Sequence, residues 1–398
     1  MKHFFRALFL FVCLSVMIVM LFPINARATN GMQAIGVGAE MRSMGGAGSA
    51  LSLGASVITV NPAAISELEG RIDFGMTLLM SSSKYKSTDA MAGATPGFLD
   101  SNTSPGAMPA FGLVIPVDEK LTFGLGAYGV AGMGVDYGKG LYGGAVYSSF
   151  EMMKFIPALS YQLNERVSIG GALNFDYAAL GFEAGGKHYN KNSQYGYGFQ
   201  LGIFGRLTDA FSVSLAYISK QEFPDFEFYG ANGKDRLAFD LPQQVAAGFG
   251  YTVSPRLKIA VDIKWIDWSN TMGAHLPEWK ANLNSASPWN CDWDDQMVYA
   301  IGVEFALNER FRVRAGYNYG QSPLPPGQAC EAIAFPAIQE QHYTVGFGWD
   351  MTDRATLNMG FMYAPENSMS GANSDQFITS YDTALKMSSI EVGLSYKF

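Results

Sequence analysis

The sequence has 398 residues, of which 27 are basic and 35 acidic, so its formal net charge at pH 7 is −8. An acidic chain lacks the basic footprint of nucleic-acid-binding proteins, which excludes nucleic acid as a partner. Aromatic residues make up 14% of the chain and glycine contributes 45 residues, whereas only 16% of residues are charged.

Residues 1–28 predict a cleaved signal peptide. A basic start is followed by an apolar run of about 16 residues, too short for a membrane anchor, and by the cleavage site Ala26-Arg27-Ala28. The mature chain would begin near Thr29 with a net charge of −11, from 24 basic and 35 acidic residues. No second long apolar run remains, so membrane-spanning helices are excluded.

Residues 29–70 predict a flexible, glycine-rich segment that ends in one helical turn. Asn61 followed by Pro62 is a helix-start signal, because the Asn side chain can accept a hydrogen bond from a free N–H of the first turn and Pro fits the first helical position. Gly70 would end the turn.

From residue 71 onward, alternating strands come in pairs around short turns. These turns lie at 116–120, 163–166, 207–210, 252–256, 307–310 and 351–354. With a first strand at about 71–82 and a last one at 388–398, the pattern predicts fourteen strands of about 10–12 residues each, a length that suits a tilted bilayer crossing.

The alternation places large apolar residues on one face of each strand and small or charged residues on the other. In the strand that begins at Val167, for example, Leu173 and Phe175 share one face, and Asn174 and Asp176 share the opposite face. A soluble sandwich would turn the apolar face inward, whereas a lipid-facing barrel turns it outward. Strand length, the strict alternation of short turns with long loops and the even strand number favour the second. The predicted fold class is therefore all-β, a 14-stranded antiparallel transmembrane β-barrel.

A fourteen-strand barrel is too wide for its own inward side chains to fill. Residues 29–70 are therefore predicted to form an N-terminal hatch, or plug, of short helices inside the barrel, which residues 71–398 would build. A disordered periplasmic tail is the alternative, and the many apolar residues of the segment argue against it.

These features resemble the FadL family of outer-membrane transporters for long-chain fatty acids and other hydrophobic compounds. The similarity rests on the Asn61-Pro62-Ala63 motif and on the segments 123–138, 155–175 and 241–269. It implies that a hydrophobic substrate is captured among extracellular loops, passes to a pocket beside the hatch and leaves laterally through a gap in the wall where the third strand kinks. Of the family's functional residues, only Asn61, Pro62 and Ala63 carry over.

Glycines of the third strand are the candidates for this wall opening, because glycine weakens a strand and marks bulges. The alternative is that they make room for the hatch. They are Gly124, Gly126, Gly129, Gly132 and Gly134.

Four basic side chains are predicted to project into the lumen and are candidate ligands for a carboxylate: Arg312, Arg314, Lys258 and Lys264. The alternative, which the equal abundance of inward acids favours, is a structural ion-pair network. Those acids are Asp262, Glu304, Asp350 and Glu391.

Cys291 and Cys330 form an even pair in an exported chain, which predicts one disulfide at the barrel mouth. Neither Cys spacing nor His neighbours indicate a metal site, and no cofactor is predicted. The sequence also shows no catalytic constellation, so we expect a protein that is not an enzyme.

The predicted function is uptake of long-chain fatty acids or other hydrophobic compounds across the bacterial outer membrane, by hatch-gated passive diffusion with lateral release. A general diffusion porin and a structural or adhesive barrel are the alternatives. The expected partners are fatty acids, hydrocarbons, outer-membrane lipid and lipopolysaccharide, and the expected state is a monomer. Short turns would face the periplasm and long loops the cell surface.

Overall fold

The structure is a computed structural model. It describes residues 30–87, 97–103, 105–141, 144–184, 187–230, 233–274, 276–280, 291–327, 333–371 and 380–398. The predicted signal peptide, residues 1–28, and Cys330 lie outside the described residues.

Fourteen antiparallel strands form a closed barrel. Each strand pairs with its neighbour along the chain, and the first pairs with the last from Arg71 opposite Lys397 to Ser87 opposite Tyr381. The predicted fold class and strand number are thus confirmed. The strands are β1 Arg71–Ser87, β2 Gly106–Pro116, β3 Leu121–Leu141, β4 Gly144–Asn164, β5 Val167–Ala184, β6 Lys187–Arg206, β7 Phe211–Ile218, β8 Gln244–Ser254, β9 Leu257–Ile266, β10 Gln296–Ala306, β11 Phe311–Gly320, β12 Gln341–Asp350, β13 Ala355–Gly371 and β14 Tyr381–Lys397.

The six predicted short turns all join neighbouring strands at one end of the barrel, which we call the turn end; the other is the loop end. Side chains fix these turns locally. Asn308 Oδ1, for example, accepts hydrogen bonds from the N–H groups of Arg310 and Phe311, both at 2.9 Å. Asn164 does the same for Arg166 and Val167 in the other Leu-Asn-Glu-Arg turn. Turn chemistry in the sequence therefore marked one whole end of the barrel.

Strand lengths differ from the prediction. They run from 8 residues in β7 to 21 in β3 and β4, and the expected bounds 71–82 and 388–398 for β1 and β14 were too short. The extra residues lie at the loop end, where the polar stretch of β1 up to Ser87 pairs in register with the start of β14. This part lacks the apolar alternation on which the prediction relied.

Burial follows the predicted alternation. Leu173 and Phe175 on the outer face are 56% and 51% exposed. Asn174 and Asp176 on the inner face are 0% and 2% exposed. Large apolar side chains thus cover the outside of the barrel, as a lipid environment requires. None of the helices in the described ranges is long and apolar enough to cross a membrane.

Two small additions at the loop end have no counterpart in the sequence pattern. Residues Leu99–Asp100 pair with the end of β1. The strands Phe226–Gly230, Gly233–Ala238 and Glu278–Lys280 form a separate three-stranded sheet.

The N-terminal segment, residues 30–70, lies inside the ring of strands. Its short α-helix Ala39–Ser43 contacts β11 to β14, and its 3₁₀ helices Ala55–Thr59 and Pro62–Glu67 contact strands on the other side, from β1 to β6. Between them Ser49 reaches β7 and β9 through Ser214 and Asp262. The segment therefore touches the wall around the lumen.

Candidate functional site: the lumen and a gap in its wall

The Asn61-Pro62-Ala63 motif forms the predicted capped turn. Asn61 Oδ1 accepts a hydrogen bond from the N–H of Ala63 at 2.9 Å, and Pro62 opens a 3₁₀ helix that ends at Glu67, three residues before the expected Gly70. The same side chain also holds the wall, because Asn61 Nδ2 donates to the carbonyl of Ile203 on β6 at 3.0 Å. Both polar groups of this fully buried Asn are thereby satisfied.

Two wall glycines that the sequence did not single out make room for this turn. A Cβ added at Gly202 would lie 2.0 Å from Asn61 Oδ1, and one at Gly170 would lie 2.4 Å from the nitrogen of Ala63. A real side chain at either position would displace the turn. The strand alternation in the sequence predicts that both glycines face inward. It does not predict which wall residues lie opposite the turn.

The predicted luminal arginines pair with carboxylates near the turn end. Arg314 Nε lies 2.7 Å from Glu304 Oε2, and Lys258 Nζ lies 3.6 Å from Glu304 Oε1. Arg312 pairs with Asp350. Lys264 lies farther toward the loop end of β9, opposite Val298. The arrangement of the first three matches the structural network that the sequence left as the alternative.

The network continues into the N-terminal segment. Asn358, which accepts a hydrogen bond from Arg314 Nη1 at 3.0 Å, donates to Glu40 Oε1 at 2.9 Å. Arg42 Nε lies 2.7 Å from Glu391 Oε2, with both side chains buried. Burial raises the pKa of Glu40, and the neighbouring charge of Asp73 adds to the rise. Buried charges thus join the α-helix of the segment to the wall.

A polar cavity of about 600 Å³ lies between the N-terminal segment and the turn end of the barrel. Its lining alternates in charge and includes Glu67, Arg71, Glu304, Arg310, Arg312, Asp353 and Lys397. Most of this lining is polar or charged, so an apolar molecule would remove little apolar surface of the protein from water by entering the cavity.

The two largest apolar clusters of the described residues lie farther toward the loop end and around the 3₁₀ helices. The loop-side apolar cluster is rich in aromatic rings and includes Tyr85, Phe150, Phe182, Phe226, Trp268 and Trp293. The segment-side apolar cluster packs the two 3₁₀ helices against the wall and includes Val57, Ile58, Ile65, Val114 and Ile156. Val130 on β3 packs against both clusters, so it marks their junction.

The barrel wall is interrupted next to Val130. Pairing between β2 and β3 stops at Ala110 opposite Tyr128, although β3 continues to Leu141. Contact resumes farther along, where the N–H of Asn102 donates to the carbonyl of Asp136 at 2.7 Å. We call the stretch between these contacts the wall gap.

The start of the N-terminal segment fills the wall gap. The N–H of Ala34 donates to the carbonyl of Val130 at 2.9 Å, and the N–H of Gly132 donates to the carbonyl of Met32 at 3.0 Å. Gln33 stands opposite Ala131 in this antiparallel bridge. Residues 32–34 therefore act as a short substitute strand on the free edge of β3, whose backbone groups would otherwise lack partners.

The third-strand glycines divide between the two interpretations offered for them. Gly124 lies against the segment, since an added Cβ would lie 2.8 Å from Ile65 Cδ1, and one at Gly126 would lie 3.2 Å from Ile58 Cγ2. Gly129 and Gly132 border the wall gap, at a register irregularity between β3 and β4. At Gly134 an added Cβ would lie 2.4 Å from the carbonyl oxygen of Ser148.

A family model described as outer membrane protein transport protein (OMPP1/FadL/TodX) matches residues 25–398. The chain belongs to the OMPP1/FadL/TodX family. It is thus an outer-membrane transport protein, as the resemblance implied, and its apolar outer face lies against lipid. A family of transport proteins also fits the expectation of a chain that is not an enzyme.

Solved structures share this fold. The Pseudomonas putida toluene transporter TodX is 19% identical, with 92% of this chain and 99% of that one covered and a TM-score of 0.73. For a Pseudomonas aeruginosa FadL homologue the identity is 15%, the coverage 95% and 100%, and the TM-score 0.75. For the Ralstonia pickettii toluene transporter TbuX these values are 18%, 92% and 99%, and 0.67. No curated protein sequence matches the chain.

The predicted disulfide stays a prediction. Cys291 is buried within the loop-side apolar cluster, and Cys330 lies outside the described residues. Across the described ranges, no group of three or more His, Cys, Asp or Glu side chains could hold a metal ion.

Proposed function

We propose that the chain takes up uncharged hydrophobic compounds by passive diffusion, with the N-terminal segment as a hatch and the wall gap between β2 and β3 as a lateral exit. One observation carries the proposal. The gap is held shut by two backbone hydrogen bonds from residues 32–34, which belong to the segment and not to the barrel. Withdrawal of these residues would open the wall without breaking any pairing between barrel strands.

The apolar clusters would form the route to this exit. A hydrophobic compound would enter the loop-side apolar cluster from the cell surface, since burial of apolar area is favourable there. Val130 joins that cluster to the segment-side cluster and also borders the wall gap. The compound would leave through the gap into the lipid, where its apolar surface stays out of water.

Straight passage toward the turn end is disfavoured for such a compound. The N-terminal segment packs against the wall there, and the cavity beyond it is lined by charged side chains. This arrangement also disfavours the general diffusion porin, which needs an open aqueous lumen. The turn end would face the periplasm, as in outer-membrane barrels generally.

Uncharged compounds are favoured over fatty acids as substrates. The luminal side chains best suited to a carboxylate, Arg312 and Arg314, are already paired with Asp350 and Glu304. Among the solved relatives, TodX and TbuX are toluene transporters and CymD is a monoaromatic hydrocarbon channel. The aromatic lining of the loop-side cluster suits a ligand of that class.

Uptake by cells tests this function. Cells that carry the chain in their outer membrane should accumulate radiolabelled toluene faster than cells with an empty vector, and oleate should give a smaller difference. Equal uptake of toluene by both cell lines would contradict the proposal. A large steady conductance of the purified parent chain in planar bilayers would support the porin instead.

A further inference from the structure

A group of polar side chains lies in the lumen at the boundary between the two apolar clusters. On β4, Lys154 stands between Met152 of the loop-side cluster and Ile156 of the segment-side cluster. Its polar neighbours come from β5, from β6 and from the segment after β7. The polar cluster consists of Lys154, Asn174, Asp176, Gln200 and Gln221, each more than nine-tenths buried.

Asp176 is the member that lacks a hydrogen-bond partner in the described part of the chain. It is 2% exposed, and within the described part of the chain neither of its carboxylate oxygens has a hydrogen-bond partner. Lys154 stands opposite it in register, but Lys154 Nζ donates instead to Gln221 Oε1 at 3.1 Å, and no ion pair joins Lys154 to Asp176 in the described ranges. A buried carboxylate without a hydrogen bond is unfavourable, so a ligand that supplies a donor at this position would be bound favourably.

The described cluster keeps both acceptors and donors without partners. Gln200 Nε2 donates to Asn174 Oδ1 at 2.8 Å, which leaves Gln200 Oε1 unpaired, and the only unpaired amide donor in the described cluster is Asn174 Nδ2. An ionised carboxylate only accepts, whereas the ammonium of Lys154 has three N–H groups, of which Gln221 takes one. A ligand group that donates to Asp176 while it accepts from Lys154 would therefore complete both side chains.

We propose that the polar cluster binds the hydroxyl group of an otherwise apolar, uncharged substrate, such as an aromatic alcohol. A hydroxyl both donates and accepts, so one O–H group can donate to a carboxylate oxygen of Asp176 and accept from Lys154. A carboxylate has no proton to donate and meets the charge of Asp176, and a plain hydrocarbon leaves Asp176 unpaired. The inference rests on the proposed uptake of hydrophobic compounds. It adds that the lumen distinguishes alcohols from plain hydrocarbons and from carboxylates.

Three ligands with one ring skeleton test the inference: radiolabelled toluene, benzyl alcohol and benzoate, in equilibrium dialysis against the detergent-solubilised full chain. Asp176→Leu should weaken binding of benzyl alcohol about tenfold, because a hydrogen bond to a charged group is lost, and should leave toluene unchanged or tighter. Asp176→Asn keeps the shape and should weaken the alcohol by a smaller factor. If the leucine variant does not fold, the asparagine variant alone tests the inference.

Asp209→Asn, in an exposed turn-end position, is the matched control and should change none of the three affinities. An equal loss of toluene and benzyl alcohol in the Asp176 variants would show a merely structural carboxylate and overturn the inference. So would an unchanged alcohol affinity, which would mean that the cluster holds water only, or a parent chain that binds benzoate most tightly. A parent that binds neither toluene nor benzyl alcohol would contradict the proposed function itself, which separates the two failures.

Discussion

Asn61 of the N-terminal segment donates a hydrogen bond from Nδ2 to the carbonyl oxygen of Ile203 in the barrel wall at 3.0 Å. Its other amide atom, Oδ1, caps the 3₁₀ helix through the N–H of Ala63. One side chain thereby fixes the fold of the turn and its position against β6. The cap was readable from the sequence, and the bond to the wall was not.

Replacement of Asn61 by Ala should loosen the seat of the segment while the barrel persists. Loss of such a cap costs about 0.5–2 kcal/mol, whereas the barrel depends on its closed ladder of backbone hydrogen bonds. We expect faster hydrogen exchange in a peptide covering residues 61–68, measured by mass spectrometry, with unchanged heat-modifiable mobility on gels.

Asn308→Ala is the matched control for this change. Asn308 makes the same kind of backbone bonds in a short turn, so its loss should leave exchange at 61–68 at the parent rate. If Asn61→Ala also left that exchange unchanged, the Asn61 side chain would not hold the segment.

The parts of this fold that were readable from sequence are those set by local chemistry. Period-two alternation gave the strand number and the outward apolar face, and turn residues such as Asn164 and Asn308 marked the turn end. Asn61 and Pro62 gave the capped turn. Each of these signals lies within a few residues along the chain.

The candidate site depends instead on contacts between residues far apart in sequence. The bridge of Gln33 to Ala131 and the fit of Gly202 to Asn61 need a register that no local pattern specifies. Lys154 was a missed candidate with an available signal, because it is a lone charge at an inward position between Met152 and Ile156. The orphaned state of Asp176 appears only when its surroundings are known.

Glu40 should make the seating of the segment depend on pH. Because burial raises its pKa above the ordinary 4.5 in the folded chain, the folded state holds this proton more tightly than the unfolded state does. The stability that results is complete below about pH 4.5 and is lost as the pH rises through the raised pKa. Arg71, Asp73 and Arg314 are the charged groups that face it.

Glu40→Gln should flatten this dependence, since the amide keeps an oxygen that can accept from Asn358 but cannot ionise. Hydrogen exchange at residues 38–44, compared between variant and parent at each pH from 4 to 7, measures the effect. We expect the parent to lose protection relative to the variant as the pH rises. A constant ratio across the range would contradict the assignment to Glu40.

Deletion of residues 31–60 should convert the barrel into an ion-conducting pore. The segment contacts the wall around the lumen, and a fourteen-strand barrel is too wide for its own side chains to close. Planar bilayers with the deletion variant should therefore show a steady conductance that the parent lacks, and gel mobility should confirm that the barrel has formed. A folded deletion variant without conductance would mean that the segment is not a plug.

A cross-link across the wall gap should stop lateral release. Gln33 and Ala131 form a non-hydrogen-bonded antiparallel pair, because the two bridging hydrogen bonds are made by their neighbours. The Cα atoms of such pairs lie about 4.5 Å apart, within the range of a disulfide. The double variant Gln33→Cys with Ala131→Cys should take up toluene at the empty-vector rate when oxidised and at the parent rate after dithiothreitol.

Each single variant should take up toluene at the same rate whether oxidised or reduced. This controls for the native cysteines and for loss of the Gln33 side chain. The reduced double variant carries the same substitutions without the cross-link, so a loss of uptake that appears only on oxidation reports on the movement of residues 32–34. Full uptake by the verified cross-linked chain would show that residues 32–34 need not leave the gap, and the substrate would then have to pass through the lumen toward the turn end.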